Sequence, residues 1–447
     1  MLTNDKRLRR WVRGATLALV AGTAVALAGC SDLMEVNNPG AIDTPDINDV
    51  YYLDHLVNGV IGQFHPLHGN TALYSAIFTD ELANHHGYGE EIDIDHRNVA
   101  DGNGTMAIMT YNRMHRTRWQ ADTAVQYIRN LLGADAAAKD LRVAIARAYG
   151  AHAIVLLGEQ FCESPIDMSA PKTSEEILAM ALPRFDEAIQ VGLAAKAADP
   201  ANAARADEIV NFARVGAARA ALDLGDFQKA IAYAREVVPA YVSPDDEGFV
   251  FYSDFLEGYS TNPFYSRTAG DGVTISYYGT PLDSIFDDPR VPVLEDSVYG
   301  GGVRYVPLAP SAFLEHNGTL PGAPFQITTK IRSASALEAR YIIAEAEGLN
   351  PANLAFVNER RAIGNQAPLP PTATEQQYVD ALREQRMRDL LLDGHRMGDL
   401  RRYEKLYGDD LWQKGTIPGS TTGAQFGSQK CWPVPQAEKL GNPNYKN

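Results

Sequence analysis

The stretch REQRMRDLLLDGHRMGDLRRY, residues 383–403, decides the fold because it sets charged side chains at helical spacing among apolar ones. The charged positions at intervals of three or four are Arg386, Asp389, Asp393 and Arg396. In a helix these residues share one face and can pair with one another. Because buried charges must be matched, we predict a structural charge network that also includes Asp399. Gly394 is expected to cap or kink the helix.

This stretch resembles the C-terminal motif of the SusD/RagB family of outer-membrane nutrient-binding lipoproteins, E-R-x-x-E-L-x-x-E-G-x-R-W-x-D-L-x-R. The matching positions are Arg386, Leu390, Gly394, Arg396, Asp399, Leu400 and Arg402. The departures are Gln385, Asp389, Asp393 and Met397, which keep the charge at two of the three acidic positions. Three further segments resemble other motifs of the family: LEARYIIAEA at 337–346, NERRA at 358–362 and PVPQAEKLGNPN at 433–444.

The N-terminus has the pattern of a lipoprotein signal peptide. Basic residues precede an apolar run at 15–28, which is too short to span a bilayer. Leu27-Ala28-Gly29-Cys30 resembles a lipobox, in which Cys30 is lipidated and becomes the first residue. We therefore expect a signal peptide at 1–29, a lipidated tether at 30–45 and a single domain at 46–447. The alternative is an uncleaved anchor with a chance cysteine.

The charge of the chain narrows the choice of partners and location. The formal net charge is −16, and it becomes −20 once residues 1–29 are removed. Such an acidic protein is a poor partner for nucleic acid, and it would also repel polyanionic glycans. Ser31 does not resemble the aspartate that retains lipoproteins in the inner membrane. We expect outer-membrane anchoring through the Cys30 lipid, facing the cell surface.

Helical periodicity predicts an all-α fold. Between 107 and 240, small and apolar residues recur at steps of three and four, most clearly in the stripe from Ile209 to Leu224. A Gly225-Asp226 turn then leads into a second periodic segment, which is typical of a tetratricopeptide-like helical hairpin. Weaker hairpins are predicted over 119–157, 177–224 and 337–361. Stacked hairpins of this kind predict one α-rich body.

The segment 241–335 interrupts this pattern as a loop-rich insertion with short strands. Residues 241–325 contain nine prolines and ten glycines, and 15 of the 85 residues are aromatic. A loop-rich segment with many aromatic residues, carried on a helical scaffold, indicates a binding surface. We expect its phenylalanines, Phe251, Phe255, Phe264 and Phe286, to be core residues. Tyrosines, with a polar tip on an apolar ring, suit a half-wet site better.

A second candidate loop is NHHGYGEEIDIDHRNVADGNG at 84–104. Its acidic residues and histidines have no zinc-site spacing, and no glycine stands where a calcium loop needs one. We therefore predict no metal, although metal binding is the alternative, and we expect the neighbouring Asp80 and Glu81 to be structural. The ligand-binding candidates from both loops are His86, Tyr88, Tyr259, Tyr265, Tyr277 and Tyr278.

The chain lacks the common catalytic motifs, so we predict a binding protein without a cofactor rather than an enzyme. The family resemblance implies a lid on a SusC-like TonB-dependent transporter. In this role the protein captures an oligomeric nutrient, which is a glycan, a glycopeptide or a peptide, and passes it to the transporter. Two alternatives remain open. One is a carbohydrate-active hydrolase, whose two carboxylates could lie among the many in this chain. The other is a helical-repeat scaffold protein that binds no ligand.

Two cysteines remain once Cys30 carries lipid, Cys162 and Cys431. Both lie outside helical patterns and close to prolines, in a protein expected to reach an oxidising compartment. We predict a disulfide between them, which would tie the helical body to the C-terminal segment. The alternative is two separate buried thiols.

Overall fold

The computed structural model describes residues 49–84, 88–242, 248–258, 260–267, 275–285, 288–291, 293–296, 304–307, 326–420 and 422–445. The helices are α1 (Leu53–Phe78), α2 (Gly89–Asp95), α3 (Gly104–Met106), α4 (Asn112–Leu132), α5 (Ala134–Ala137), α6 (Leu141–Gln160), α7 (Ser174–Ala198), α8 (Ala203–Asp223), α9 (Phe227–Arg235), α10 (Pro263–Tyr265), α11 (Ala336–Glu347), α12 (Pro351–Ile363), α13 (Glu375–Asp389), α14 (Arg396–Tyr407) and α15 (Gln436–Gly441). The strands are β1 (Ala83–Asn84), β2 (Glu163–Pro165), β3 (Pro171–Thr173), β4 (Val250–Ser253), β5 (Ile275–Ser276), β6 (Val293–Asp296), β7 (Arg304–Pro307) and β8 (Ile331–Ser335).

Long helices that follow one another along the chain make up the body. α4 contacts α6, α6 contacts α7, α7 contacts α8, and α8 contacts α9. α1 packs against both α4 and α6, and α13 contacts both α11 and α12. In the described residues the strands form only two-stranded antiparallel ribbons. The prediction of an α-rich fold built from helical hairpins is therefore confirmed.

The stripe of small residues on α8 lets neighbouring helices approach closely. A Cβ atom at Gly216 would lie 2.4 Å from Cζ of Phe185 and 2.6 Å from Cε1 of His152. The His152 ring stacks on Phe212 with centroids 3.7 Å apart, and its Nε2 lies 2.9 Å from the carbonyl oxygen of Phe212. Burial lowers the pKa of His152 to about 3, so this ring is neutral core material.

α6 is the central helix of the body. By length and composition alone it could cross a membrane, but 78% of its most apolar stretch of 18 residues is buried inside the protein. A core helix that touches neighbours on several sides is apolar all round for the same reason as a membrane span, because neither exposes a face to water. We assign α6 to the core on the strength of these contacts.

The loop-rich segment is anchored to the helices by short strand pairings and by phenylalanines. β4 pairs with β8, which leads directly into α11, and β5 pairs with β1. Phe251, Phe255 and Phe264 are buried in the main core, as predicted, whereas Phe286 lies outside the described residues. The ring of Phe251 stacks on Phe212 of α8 with centroids 3.9 Å apart.

Residues 383–403 are not one helix, so the prediction of a single helix face was wrong, whereas the interruption expected at Gly394 is present. α13 ends at Asp389, residues 390–395 form a turn, and α14 begins at Arg396. Within that turn Leu392 and Gly394 have φ values of 61° and 83°, in the left-handed region, so a continuous right-handed helix cannot run through it. A Cβ atom at Gly394 would also lie only 3.2 Å from the α-carbon of Ala72 on α1. The turn thus lies directly against α1.

The predicted charged residues are all buried, but the turn changes their partners. Within the set, Arg386 pairs with Asp399, with Nε 2.8 Å from Oδ2. The other three pair with distant segments: Asp389 with Arg360 at 2.7 Å, Asp393 with Arg332 at 2.7 Å and Arg396 with Asp80 at 2.6 Å. The predicted pairing along one helix face was therefore wrong. The network instead joins the 383–403 stretch to the segment after α1, to β8 and to α12.

Asp399 lies at the centre of the buried charges on α14. Burial disfavours its charge, but the guanidinium groups of Arg386 and Arg402 hold its pKa well below the usual value. Arg402 also donates to Asp223 on α8 and to Glu345 on α11. A single side chain of α14 thus binds carboxylates from two other helices, which fixes the position of α14 against the body.

Cys162 and Cys431 form the predicted disulfide, with Cα atoms 5.1 Å apart. Backbone hydrogen bonds flank the bridge. The amide of Cys162 donates to the carbonyl oxygen of Trp432 at 3.1 Å, and the amide of Trp432 donates to the carbonyl oxygen of Gln160 at 2.8 Å. The end of α6 is therefore tied to the C-terminal segment, and the Trp432 side chain is fully buried beside the bridge.

Candidate binding site

A cleft of about 310 Å³ lies where three segments distant in sequence meet. Its lining comes from residues 82–96, from the turn at 278–280 and from the loop at 413–426. Amide, hydroxyl, carboxyl and imidazole groups line it beside the rings of Tyr278 and Phe426. Concave sites with a few polar groups next to aromatic faces are typical binding sites for small ligands. The cleft joins parts of the two predicted loops, 84–104 and 241–325.

The pairing of β1 with β5 explains why these loops meet. Ala83 lies opposite Ser276 and Asn84 opposite Ile275. The turn after β5 is closed by the Thr280 hydroxyl, which donates to the carbonyl oxygen of Tyr277 at 2.7 Å. Gly279, at a φ of 76°, leaves room for the third segment, since a Cβ atom there would lie 2.3 Å from Cβ of Pro418.

Arg97 holds the 413–426 loop against the other two segments. Its guanidinium donates to the carbonyl oxygens of Gln413 and Gln429. It also lies over the rings of Trp412 and Phe426, 5.5 and 5.6 Å from their centroids. Cation–π contacts of a buried guanidinium add to its hydrogen bonds. Arg97 is therefore the positioning residue of this wall of the cleft.

Asp95 is the only carboxyl group among the described residues that line the cleft. Burial raises its pKa from the usual value to about 8, opposed only in part by the amide of Asn84, which donates to Oδ1 at 3.2 Å. Burial also lowers the pKa of the neighbouring His96. At neutral pH both side chains are uncharged and carry donors and acceptors, a combination that suits hydroxyl groups.

Replacing Asp95 with asparagine should change the pH dependence of stability. The unfolded chain releases the Asp95 proton near its ordinary pKa, whereas the folded chain keeps it up to about pH 8. Stability therefore falls in the wild type as pH rises through this window. Relative to Asp95→Asn, we expect a loss on the order of 1 kcal/mol for each pH unit crossed inside the window, or several kcal/mol in total, measured by urea unfolding across the window. Parallel stability curves for the two proteins would contradict the buried, protonated Asp95.

The structure separates the six predicted ligand-binding residues. Tyr278 lines the cleft. Tyr88 is 56% exposed at the N-terminal end of α2, whereas Asp95 and His96, which line the cleft, lie at its C-terminal end. Tyr265 is half-buried on α10, outside the cleft lining. His86 and Tyr259 lie outside the described residues.

Tyr277 is not an exposed binding residue, which corrects the sequence prediction. It is 1% exposed and belongs to the main hydrophobic core. Tyr277 directly follows β5, whose residues Ile275 and Ser276 are also buried, whereas Tyr278 lies in the turn that borders the cleft. Replacing both would therefore damage the fold and would not test binding.

Glu90 and Glu91, two of the acidic residues considered as metal ligands, have structural partners. Glu90 accepts hydrogen bonds from the amides of Gly104 and Thr105, and Glu91 pairs with Arg267. Asp80 pairs with Arg396, and burial raises the pKa of Glu81 to about 8. Within the described ranges, no three histidine, cysteine or acidic side chains are grouped as a metal site requires.

A second cavity, of about 340 Å³, lies between α6, α7 and α14. Arg401 in its wall donates to the carbonyl oxygens of Gly158, Glu159 and Phe161. These donations satisfy the carbonyl groups at the C-terminal end of α6, which have no partner within the helix. We assign this cavity to the packing of α14 on the helical body.

Solved structures with this arrangement of helices, ribbons and loops are SusD-like. A SusD superfamily protein from Bacteroides vulgatus superposes with a TM-score of 0.63 at 12% identity, over 90% of this chain and 98% of that one. A SusD-like carbohydrate binding protein from Bacteroides fragilis gives a TM-score of 0.63 at 14% identity, over 90% and 99%. The chain has the SusD-like fold. By sequence, it matches no protein-family model and no curated protein.

A second SusD-like carbohydrate binding protein, from Bacteroides vulgatus, has a TM-score of 0.63 at 13% identity and covers 88% of this chain and 96% of that one. Sequence reasoning missed one wall of the cleft, the loop at 413–426. Its signal is the run GTIPGSTTG, whose glycines, proline and hydroxyl residues are typical of an exposed loop.

Proposed function

We propose that this protein is a lipid-anchored outer-membrane protein that captures an oligosaccharide and delivers it to a SusC-like TonB-dependent transporter. The observation that carries the proposal is the cleft between β1, the 278–280 turn and the 413–426 loop, on a SusD-like fold. An aromatic ring beside uncharged hydrogen-bonding groups suits a neutral sugar, whose apolar C–H faces stack while its hydroxyls bind. Moderate affinity would suit release into a transporter.

The anchoring part of the proposal rests on the N-terminal sequence, which lies outside the described residues. The proposed arrangement is a signal peptide at 1–29, lipidation of Cys30, a tether at 30–45 and a domain at 46–447. Fractionation of cells that express the chain tests it: the wild type should be found in the outer membrane, and Cys30→Ala should not. Co-purification of the wild type with a SusC-like transporter tests the partnership.

The lining of the cleft supports binding over hydrolysis. A glycosidase of the usual kind places two carboxyl groups on either side of the scissile bond. The described lining contains Asp95 as its one carboxyl group. We therefore propose a binding protein and not an enzyme. Release of reducing sugar from any bound oligosaccharide by the purified protein would favour the hydrolase instead.

The cleft is tested by replacing Tyr278 alone. Tyr278→Ala should weaken binding of a neutral oligosaccharide by about 1–2 kcal/mol, because it removes an aromatic contact without opening the core. Titration calorimetry of the chain from residue 31 onward, against panels of neutral, anionic and peptide oligomers, measures the effect. Tyr51→Ala is the matched control, since Tyr51 is 72% exposed and outside the cleft lining. Equal affinity in Tyr278→Ala and Tyr51→Ala would place the site elsewhere.

A further inference from the structure

A groove of about 710 Å³ runs between α4 and α7, above α6. It shares no lining residue with the cleft described above. Its lining combines one large aromatic ring, Trp119, with a dense set of charged side chains and with the polar Thr123 and Gln126. In helical-repeat proteins the surface between successive hairpins is where ligands are held, because it is concave and built on rigid helices.

Trp119 is the exposed tryptophan of the domain. It is 57% exposed, whereas Trp412 is 4% exposed and Trp432 is fully buried. On α4, the positions Trp119, Asp122, Thr123 and Gln126 are spaced by three, four and seven residues and therefore share one face. Tryptophan is the residue type most often found at the energetic centre of binding surfaces. This face of α4 thus combines a free aromatic ring with hydrogen-bonding side chains.

The charged side chains of the groove are held in place by one another. Arg147 on α6 lies between two carboxylates, donating to Asp122 on α4 and to Glu187 on α7 at 2.6 Å. Arg184 donates to Asp122 at 2.9 Å, and Arg129 donates to Glu187. These pairs cross between α4 and α7, so the groove is rigid before any ligand arrives, and a preorganised site loses less entropy on binding.

The pairing also defines which ligand the groove fits. Four arginines line it with three carboxylates, so little net charge is left to attract an ionic partner. A guanidinium has five N–H donors, and Arg147 uses two of them in these contacts. Fixed donors and acceptors beside an aromatic face match a neutral ligand with many hydroxyl groups. They match an acidic peptide less well, because its carboxylates would compete with those already bound.

We propose that this groove is a second binding site for neutral oligosaccharides, with Trp119 as its stacking platform. The inference rests on the proposed function, since it assumes a glycan ligand, and it adds a separate contact surface for a long chain. Two sites on one protein raise the apparent affinity for a ligand that reaches both. Long oligosaccharides should therefore bind more tightly than short ones of the same sugar.

Fluorescence quenching tests the site directly. The chain from residue 31 onward contains the unit Val50–Asn447 and the tryptophans Trp119, Trp412 and Trp432, so a collisional quencher reports mainly on Trp119. Maltoheptaose, xylohexaose and mannohexaose are the neutral probes, with oligogalacturonate and polyglutamate as anionic comparisons. A bound sugar should lower the acrylamide quenching constant by about half, because stacking covers one face of the ring. In parallel, Trp119→Ala should weaken calorimetric binding of the long probe about tenfold.

The outcomes separate this inference from the proposed function. Ile108→Ala is the matched control, since Ile108 is an exposed apolar residue of a neighbouring segment and does not line the groove. Sugar binding that depends on Tyr278, with unchanged quenching of Trp119, would overturn the second site and leave the proposed function standing. No binding of any sugar would overturn both. Protection of Trp119 by polyglutamate alone would overturn the sugar assignment in favour of a protein-docking groove.

Discussion

Replacing Arg396 with alanine is expected to lower the free energy of unfolding by about 3–5 kcal/mol, because it leaves a buried carboxylate without its partner. Arg396 binds Asp80 through two hydrogen bonds, Nε to Oδ1 at 2.6 Å and Nη2 to Oδ2 at 2.7 Å. The side chains are 8% and 4% exposed. Asp80 follows α1 and Arg396 begins α14, so the pair joins two distant parts of the chain. Urea unfolding measures the loss.

Arg235→Ala is the matched control for this prediction. Arg235 pairs with Glu347 at 2.8 Å, but its side chain is 66% exposed. An exposed pair of this kind contributes about 0–1 kcal/mol, so the control should unfold almost as the wild type does. The folded fraction of Arg396→Ala should keep its sugar affinity, because Arg396 does not line the cleft. If Arg396→Ala were as stable as Arg235→Ala, the buried pair would have no structural role.

Removing the disulfide is expected to lower stability by up to about 5 kcal/mol in the chain-entropy account, since the bridge closes a very long loop. The two cysteines are 269 residues apart in sequence, so the bridge strongly restricts the unfolded chain. Residual structure in the unfolded state usually reduces such a gain. The variant Cys162→Ala with Cys431→Ala tests the effect by urea unfolding, in a chain from residue 31 onward.

Reduction of the wild type provides the control for the double replacement. A reducing agent breaks the bridge without replacing any side chain, so the reduced wild type and the double variant should lose similar stability. The double variant should be insensitive to the reducing agent. Thiol titration of the denatured, unreduced protein should find no free thiol in a monomer. Two free thiols per chain would show that the bridge does not form.

The α-rich body could be predicted from the sequence because helical periodicity is a local property. The stripe on α8 and the Gly225-Asp226 turn are visible in neighbouring residues, and the structure places α8 and α9 there. The burial of Phe251, Phe255 and Phe264 in the loop-rich segment followed from side-chain chemistry alone. The bridge between Cys162 and Cys431 was predictable because these two thiols are the ones left once Cys30 carries lipid.

The site was predictable only in part because a loop residue does not reveal which way it points. Tyr277 and Tyr278 are neighbours with the same side chain, yet one is buried and the other borders the cleft. The loop at 413–426 reaches the cleft because Arg97, more than 300 residues earlier, binds Gln413. Neither fact has a local signal in the sequence. Composition indicated the loop regions 84–104 and 241–325, whereas the β1–β5 pairing determines which of their residues line the cleft.

For the 383–403 stretch, the burial of the charges was predictable from the sequence, but their ion-pair partners were not. The sequence by itself determined that its charges are buried, because apolar residues surround them at every turn. Only the tertiary structure decided their partners: the turn at 390–395 ends α13, and Asp80, Arg332 and Arg360 arrive from other elements. Burial depends on the hydrophobic pattern of nearby residues, whereas an ion pair depends on which distant segments the fold brings within a few ångströms.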